Sequence, residues 1–324
     1  MRLFSRRIPI LFSIIISAAL ISPNAAFSHN SDRGGEALQE KFDSLELYPY
    51  VSPRLHAIIK RGVLRVGMHD VYPPFRIAGK NGEVQAAFAA DKAVPADSYP
   101  GIDVEVAHEL ARSLGVRLEI LPGNIERLME MVQKKEVDLA LGGISATLSR
   151  SRFVQFADPY FITTPAVLLS NRRLPNESQS EEFARRKLRG IGDLRRLETM
   201  VLGVLARTTT HTLLVEDPEF SKHKVKAFPD RDALVKAFED NDIDGIVADA
   251  VFITALTIEK PVYLVNAIAL TQLYREEHLS PIMAYGDQEF HAVVNFFLKE
   301  LRRTGRFEAL ERKYLESDKW VKKD

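Results

Sequence analysis

The chain has 324 residues, 46% of them hydrophobic and 27% charged, with 44 basic and 44 acidic side chains and no cysteine. That length allows two domains, and the composition is that of a folded globular protein rather than a disordered one. The missing cysteine excludes disulfides, thiolate catalysis, cysteine-based zinc sites and a lipid-modified N-terminal cysteine, and the balanced charge excludes the basic footprint of a nucleic-acid binder.

At the start, Arg2, Arg6 and Arg7 precede an apolar run from Ile8 to Ile21 and small residues at Ala25, Ala26 and Ser28. This order of charged, apolar and small residues reads as a secretory signal peptide over 1–28, cleaved near Ala26 or Ser28. The apolar part is short of the roughly 20 residues a spanning helix needs, which also disfavours an uncleaved anchor. No later stretch is long and apolar enough to span a membrane, so the expected location is periplasmic. Removing the three arginines leaves 41 basic against 44 acidic side chains, a net of −3. Residues 29–47 are polar and acidic with Gly34-Gly35, and read as a spacer with at most a marginal helix from Glu36 to Leu45.

Folded structure is expected from Ser52. Pro53 in the first turn and Gly62 past the end bracket a short helix, and Val63 to Val66 follow as a strand. Pro73-Pro74 then holds an extended loop that fixes Tyr72 and Phe75. From Arg76 to Pro100 no period lasts, which suggests a surface excursion or hairpin flap. Ile102, Val106, Leu110 and Leu114 mark one helical face, Gly115 ends it, and Val116 to Ile120 alternates as a strand. A helix over Ile125 to Lys134 leads to the buried strand Val137 to Leu141.

That strand opens into Gly142-Gly143-Ile144-Ser145-Ala146-Thr147-Leu148-Ser149-Arg150. Two glycines permit close backbone approach, Thr147 stands at a helix N-cap position, and small hydroxyls converge with a guanidinium, a combination suited to a carboxylate or phosphate. Taken alone, it is equally an ordinary strand-to-helix turn with a surface arginine.

Beyond Tyr160 comes Phe161 to Leu169, rich in threonine and aliphatics, and then a charged, solvent-facing region from Asn171 to Arg196. The pattern then restarts. Met200 to Val204 reads as a strand, Arg207-Thr208-Thr209-Thr210 as a hydroxyl-rich turn opening the helix His211 to Glu216, and Ala233 to Phe238 as another helix. Val137-Asp138-Leu139-Ala140 and Ile243-Asp244-Gly245-Ile246 each follow a helix end and a polar turn, so the chain reads as two α/β lobes of similar plan. Each lobe puts a polar cluster at the C-terminal ends of its strands. Two helices close the chain, with Phe290, Val293, Val294, Phe297 and Leu301 on one face, a break at Gly305, and then Phe307, Leu310 and Tyr314.

The ordered set Gly62-Val63-Leu64-Arg65-Val66-Gly67, Pro74-Phe75, Gly101-Ile102-Asp103-Val104, Val137 to Arg150, Asp158-Pro159-Tyr160 and Asp244 to Asp249 resembles the type II periplasmic solute-binding proteins of polar amino-acid transporters, over about residues 50–318. The resemblance implies an α/β fold of two lobes with the ligand cleft between them, joined by two crossover strands near Ile162 to Pro165 and Ile268 to Ile282. Lobe one would comprise 48–162 plus 280–324, and lobe two 163–279. It also implies that Arg150 grips an amino acid's α-carboxylate and Asp249 its α-amino group, with Gly143, Ser145 and Thr209 completing the α-group contacts and Tyr72 as an aromatic platform. No metal or cofactor is implied. The partners would be a small-molecule amino acid and a membrane permease complex, with the protein itself a monomer.

Three positions depart from that pattern. His69 stands where aspartate is usual and is equally a neutral packing residue. Ile102 replaces a stacking phenylalanine, which would widen one wall of the cleft. Arg207 replaces a glycine; it is either a surface residue or a cation favouring an acidic side chain. The stretch Gly143 to Arg150 is also similar to that of periplasmic cyclohexadienyl dehydratases, which act on prephenate or arogenate with a carboxyl as general acid. Glu276 and Glu277 fall near the region concerned, but Leu279 is the residue expected at the closest position, which argues for a non-catalytic protein. A soluble sensor lobe serving a receptor is the remaining alternative.

Overall fold

The computed structural model describes residues 52–77, 94–95, 100–174 and 188–321. The expected signal peptide, the spacer, most of the 76–100 excursion and residues 175–187 of the charged region lie outside the described residues.

Helix α1 (Pro53–Arg61) is set by its ends: the Ser52 hydroxyl accepts from the Leu55 N–H at 2.9 Å, Pro53 occupies the first turn, and Gly62 terminates it with φ +66°. Strand β1 (Val63–His69) runs through the middle of the first sheet, with Leu64, Val66 and Met68 wholly buried. It pairs in parallel with β3 (Arg117–Gly123) on one side and β4 (Leu139–Leu141) on the other. The short β2 (Val94–Pro95) adds antiparallel to β3, and β13 (Ile282–Met283) joins β4 to β5 (Gln155–Phe156), both antiparallel. Helices α2 (Ile102–Ser113) and α3 (Ile125–Gln133) cross between the parallel strands.

A second sheet, of five strands among the described residues, has the order β11-β7-β10-β8-β9, formed by Ala267–Leu270, Pro165–Ser170, Gly245–Asp249, Val201–Leu205 and Lys224–Phe228. Its parallel members β8, β9 and β10 are linked by α5 (Thr209–Glu216) and α6 (Arg231–Glu239), whose first turn is capped by the Asp230 carboxylate. The end of the region read as solvent-facing is in fact anchored here: Leu188, Ile191 and Leu194 pack with Val167, Leu169 and Leu202. Its charged residues mask that role, because the apolar ones are too few to set a period.

Between the sheets lies a two-stranded ladder in which β6 (Phe161–Thr163) meets β12 (Glu277–Leu279), with Glu277 opposite Thr163 and Leu279 opposite Phe161. The return crossover, expected near Ile268 to Ile282, narrows to β12, because Ala267–Leu270 pairs with β7 inside the second sheet. The last helices, α9 (Gln288–Arg303) and α10 (Arg306–Leu315), turn at Gly305 with φ +71° and bury Phe290, Val294, Leu298, Leu301, Phe307 and Tyr314. Tyr314 ties α10 to the start of α2, accepting from the Gly101 N–H at 3.0 Å and donating to Glu105. In both sheets the parallel strands end at the gap between them, so His69, Gly142, Arg207 and Asp249 come from four strand ends facing one cleft.

Candidate ligand cleft

The Gly142-Gly143 corner has a steric cause. Gly142 sits at φ +146°, and a Cβ there would stand 2.6 Å from the Cβ of His69, so only glycine lets β4 leave the sheet beside β1. Gly143 follows at φ +60°, and its N–H donates to the Tyr160 hydroxyl at 3.3 Å. Behind it lies Asp103, wholly buried, whose carboxyl burial pushes up to about 7, opposed by the Tyr160 hydroxyl and the N–H groups of Gly143 and Gly142. Thr147 caps α4 (Leu148–Ser151) by accepting from the Arg150 N–H at 3.3 Å. That helix is four residues long, so the helix-end contribution expected of an anion corner is that of about one turn. The corner's positive character rests on Arg150 itself. Its guanidinium donates to the Ser145 carbonyl oxygen at 3.0 Å; burial lowers its pKa, and Glu277 and Asp249 pull it back up.

Asp249 ends β10 with 6% of its surface exposed and makes no bond to the N–H groups of α7 (Ala250–Glu259), which leaves its carboxylate to the cleft. It accepts from the Tyr72 hydroxyl at 2.7 Å. Burial raises its pKa to about 7, with Glu277 adding to the rise while the Tyr72 bond and Arg150 oppose it. Tyr72 is held by a tight turn, its N–H donating to the Arg76 carbonyl oxygen at 2.9 Å and its carbonyl accepting from the Arg76 N–H at 3.1 Å. The expected role of its ring as platform changes. Phe252 stacks on it at 4.9 Å and 27°, and Phe75 lies parallel at 6.2 Å, so Tyr72 presents its hydroxyl rather than an open face.

The residue that sequence reasoning set aside is Glu277. It is 7% exposed, and its Oε2 accepts from the Thr209 hydroxyl at 2.7 Å and the Ser145 hydroxyl at 3.0 Å. On β12 the burial alternates as buried, exposed, buried over Glu277, His278 and Leu279, so Glu277 and Leu279 share a face. Leu279, the residue expected at the closest position, bridges Ser145 through the backbone and fills the core, and Glu277 two places earlier carries the carboxylate into the cleft. Glu276 pairs with His278 on the exposed side. The signal was the strand alternation itself, with Leu279 as reference.

The three atypical positions separate. His69 packs its imidazole 5.3 Å from the Tyr72 ring, Nδ1 lies 3.1 Å from the Asp70 carbonyl oxygen, and burial lowers its pKa, which favours the neutral packing reading. Ile102 is wholly buried, with its N–H donating to the Pro74 carbonyl oxygen at 2.9 Å, so it supports the Tyr72 loop from below. The aromatic partner missing at that position is supplied by Phe252 on helix α7, which follows β10. Arg207 has a left-handed φ of +65°, is two-thirds exposed, and pairs with Glu126 across the cleft mouth. The two flank a cavity of about 270 Å³ that His69, Asp70 and Asp230 also line.

Thus Arg150 and Ser145 from the first sheet's corner, Tyr72 from its loop, Thr209 from the start of α5, Asp249 from the end of β10, and Glu277 from the crossover meet in one place. The fold recurs in solved structures: an ancestral amino acid-binding protein described as a precursor of cyclohexadienyl dehydratase is 25% identical, with a TM-score of 0.63 over 81% of this chain and 99% of that one. A probable histidine-binding protein of Neisseria gonorrhoeae is 21% identical over 252 residues, which is 78% of this chain and 82% of the relative. The cyclohexadienyl dehydratase of Pseudomonas aeruginosa is 34% identical over 119 residues, 36% of this chain and 39% of the enzyme. With residues 64–317 matching the bacterial extracellular solute-binding proteins, family 3, the chain belongs to that family.

Proposed function

We propose that the protein is an exported solute-binding protein that captures a free polar amino acid, or a close derivative, between its two lobes and hands it to an ABC-type permease. One observation carries this reading: a guanidinium at Arg150 and a carboxylate at Asp249 face a single cleft from opposite sheets. A zwitterion needs that pair of opposite poles, and each charge-assisted bond contributes about 1.5–3 kcal/mol. Closure about the β6–β12 ladder would bring the poles together, the hinge motion typical of binding proteins. The names of the relatives agree with amino-acid capture. Calorimetry against the common amino acids is expected to show a ligand with Kd near the micromolar range, about −8 kcal/mol. A panel without any binder would refute the reading, and unchanged uptake of that ligand by cells lacking the gene would refute delivery to a permease.

A second reading rests on Glu277. A buried carboxyl held by two hydroxyls inside the cleft is a group that acid-catalysed elimination can use, and the Pseudomonas aeruginosa dehydratase is among the relatives. Incubation with prephenate or arogenate, followed by ultraviolet detection of an aromatic product, decides between the two.

A further inference from the structure

The charge of the cleft interior is out of balance. Asp249 and Glu277 are both almost fully buried; Asp249 receives the Tyr72 hydroxyl, and the inner oxygen of Glu277 receives those of Ser145 and Thr209. Hydroxyls satisfy lone pairs but bring no charge. Among the described residues, the cation whose charge reaches Asp249 is Arg150, and the zwitterion reading already commits it to the ligand's carboxylate. Arg275 touches Glu277 at the outer oxygen Oε1, at 3.5 Å and from a half-exposed position where water and salt screen it. His69 adds no positive charge near neutral pH, since burial favours the uncharged imidazole. Arg76 is buried beneath the Tyr72 turn and donates to the His69 carbonyl oxygen. Among the described residues, the carboxyl groups of Asp249 and Glu277 thus face one guanidinium inside the cleft, that of Arg150. A neutral zwitterion adds one charge of each sign and leaves that imbalance in place; a ligand of net charge +1 removes it.

Resting on the amino-acid reading above, we infer that the cleft selects a cationic amino acid, with its carboxylate on Arg150, its two positive groups shared between Asp249 and Glu277, and Glu277 as the residue that sets the preference. The inner oxygen of Glu277 is oriented for this by Ser145 and Thr209, one from each side of the cleft.

Calorimetry on the purified protein with arginine, lysine, glutamine, asparagine and glutamate tests the inference. Arginine or lysine is expected to bind at least about tenfold more tightly than glutamine, and Glu277→Gln to weaken arginine or lysine far more than glutamine, so that most of that difference is lost. A wild-type preference for a neutral or acidic amino acid overturns the ligand class and leaves the amino-acid reading intact. Failure to bind any of the common amino acids overturns both. An undiminished preference in Glu277→Gln overturns the role of Glu277. Should that variant not fold, Glu277→Asp keeps the charge and must keep the preference, and the wild-type ranking decides the class by itself.

Discussion

Two kinds of buried acid divide this molecule. Asp138, just ahead of β4, receives Arg54 at 3.2 Å, Arg61, and the Arg65 N–H at 2.8 Å; Asp244, just ahead of β10, receives both prongs of Arg173 at 2.6 and 3.0 Å and the Val201 N–H at 2.8 Å. They occupy matching places in the two sheets and are held by cations on both occasions. Asp249 and Glu277, at the other end of the strands and on the crossover, are almost as buried but are held mainly by hydroxyls, the one arginine contact being that of half-exposed Arg275 to Glu277 at 3.5 Å. A carboxylate already paired with arginine has nothing left to offer a ligand, whereas one held by hydroxyls retains its charge for a cation from outside. The first pair ties helix and strand together within each lobe, and the second pair is the part of the fold left unfinished.

The largest test of this division is Arg150→Ala. On the zwitterion reading it removes the anion-binding pole, costing about 3–5 kcal/mol and abolishing measurable binding in calorimetry; retained affinity would show that the ligand's carboxylate lies elsewhere. Next come the two kinds of acid directly. Asp138→Asn strands Arg54 and Arg61 and is expected to lower unfolding stability by about 3 kcal/mol in urea, with ligand affinity of the folded protein unchanged. Asp249→Asn should do the opposite, costing about 1.5–3 kcal/mol in binding with no loss of stability above neutral pH. If both substitutions acted alike, the division would fail.

The smallest effect is that of pH. Burial holds Asp249 and Asp103 at about 7, so the folded protein keeps protons that the unfolded chain has already released. Their contribution to stability is full at acid pH and is lost as pH rises through about 7, so the melting temperature of the ligand-free protein should rise on acidification from about 8 to about 6. Affinity for a cationic ligand should fall over the same interval, as Asp249 is neutralised in the presence of Tyr72, Glu277 and Arg150. Two curves of the same slope would contradict this.

The features legible in the sequence are those set by neighbours in the chain. The Thr147 cap, the Gly142-Gly143 corner, Gly62 and Gly305 as helix ends, the placement of Arg150 in the turn of helix after β4 and that of Asp249 at the end of β10 all follow from local geometry. Features assembled from distant segments were not legible. Glu277 meets Ser145 across 132 positions and Thr209 across 68, so its partners leave no local trace. The covering of Tyr72 depends on Phe252 of helix α7 in the other lobe, and the burial of Leu188, Ile191 and Leu194 depends on strands read far from them.

Glu277 belongs to the crossover strand, not to either sheet, and it is paired there with Thr163 of the other crossover. On the proposed reading, the side chain that senses the ligand's charge is thus mounted on the pivot. A badly matched solute would be felt first as torque on β12, before it disturbs the packing of either half. If so, selectivity would be mechanical as well as chemical: the same contact that ranks solutes would also bias how far the two halves swing shut, and a permease that recognises only the shut form would receive both judgements as one.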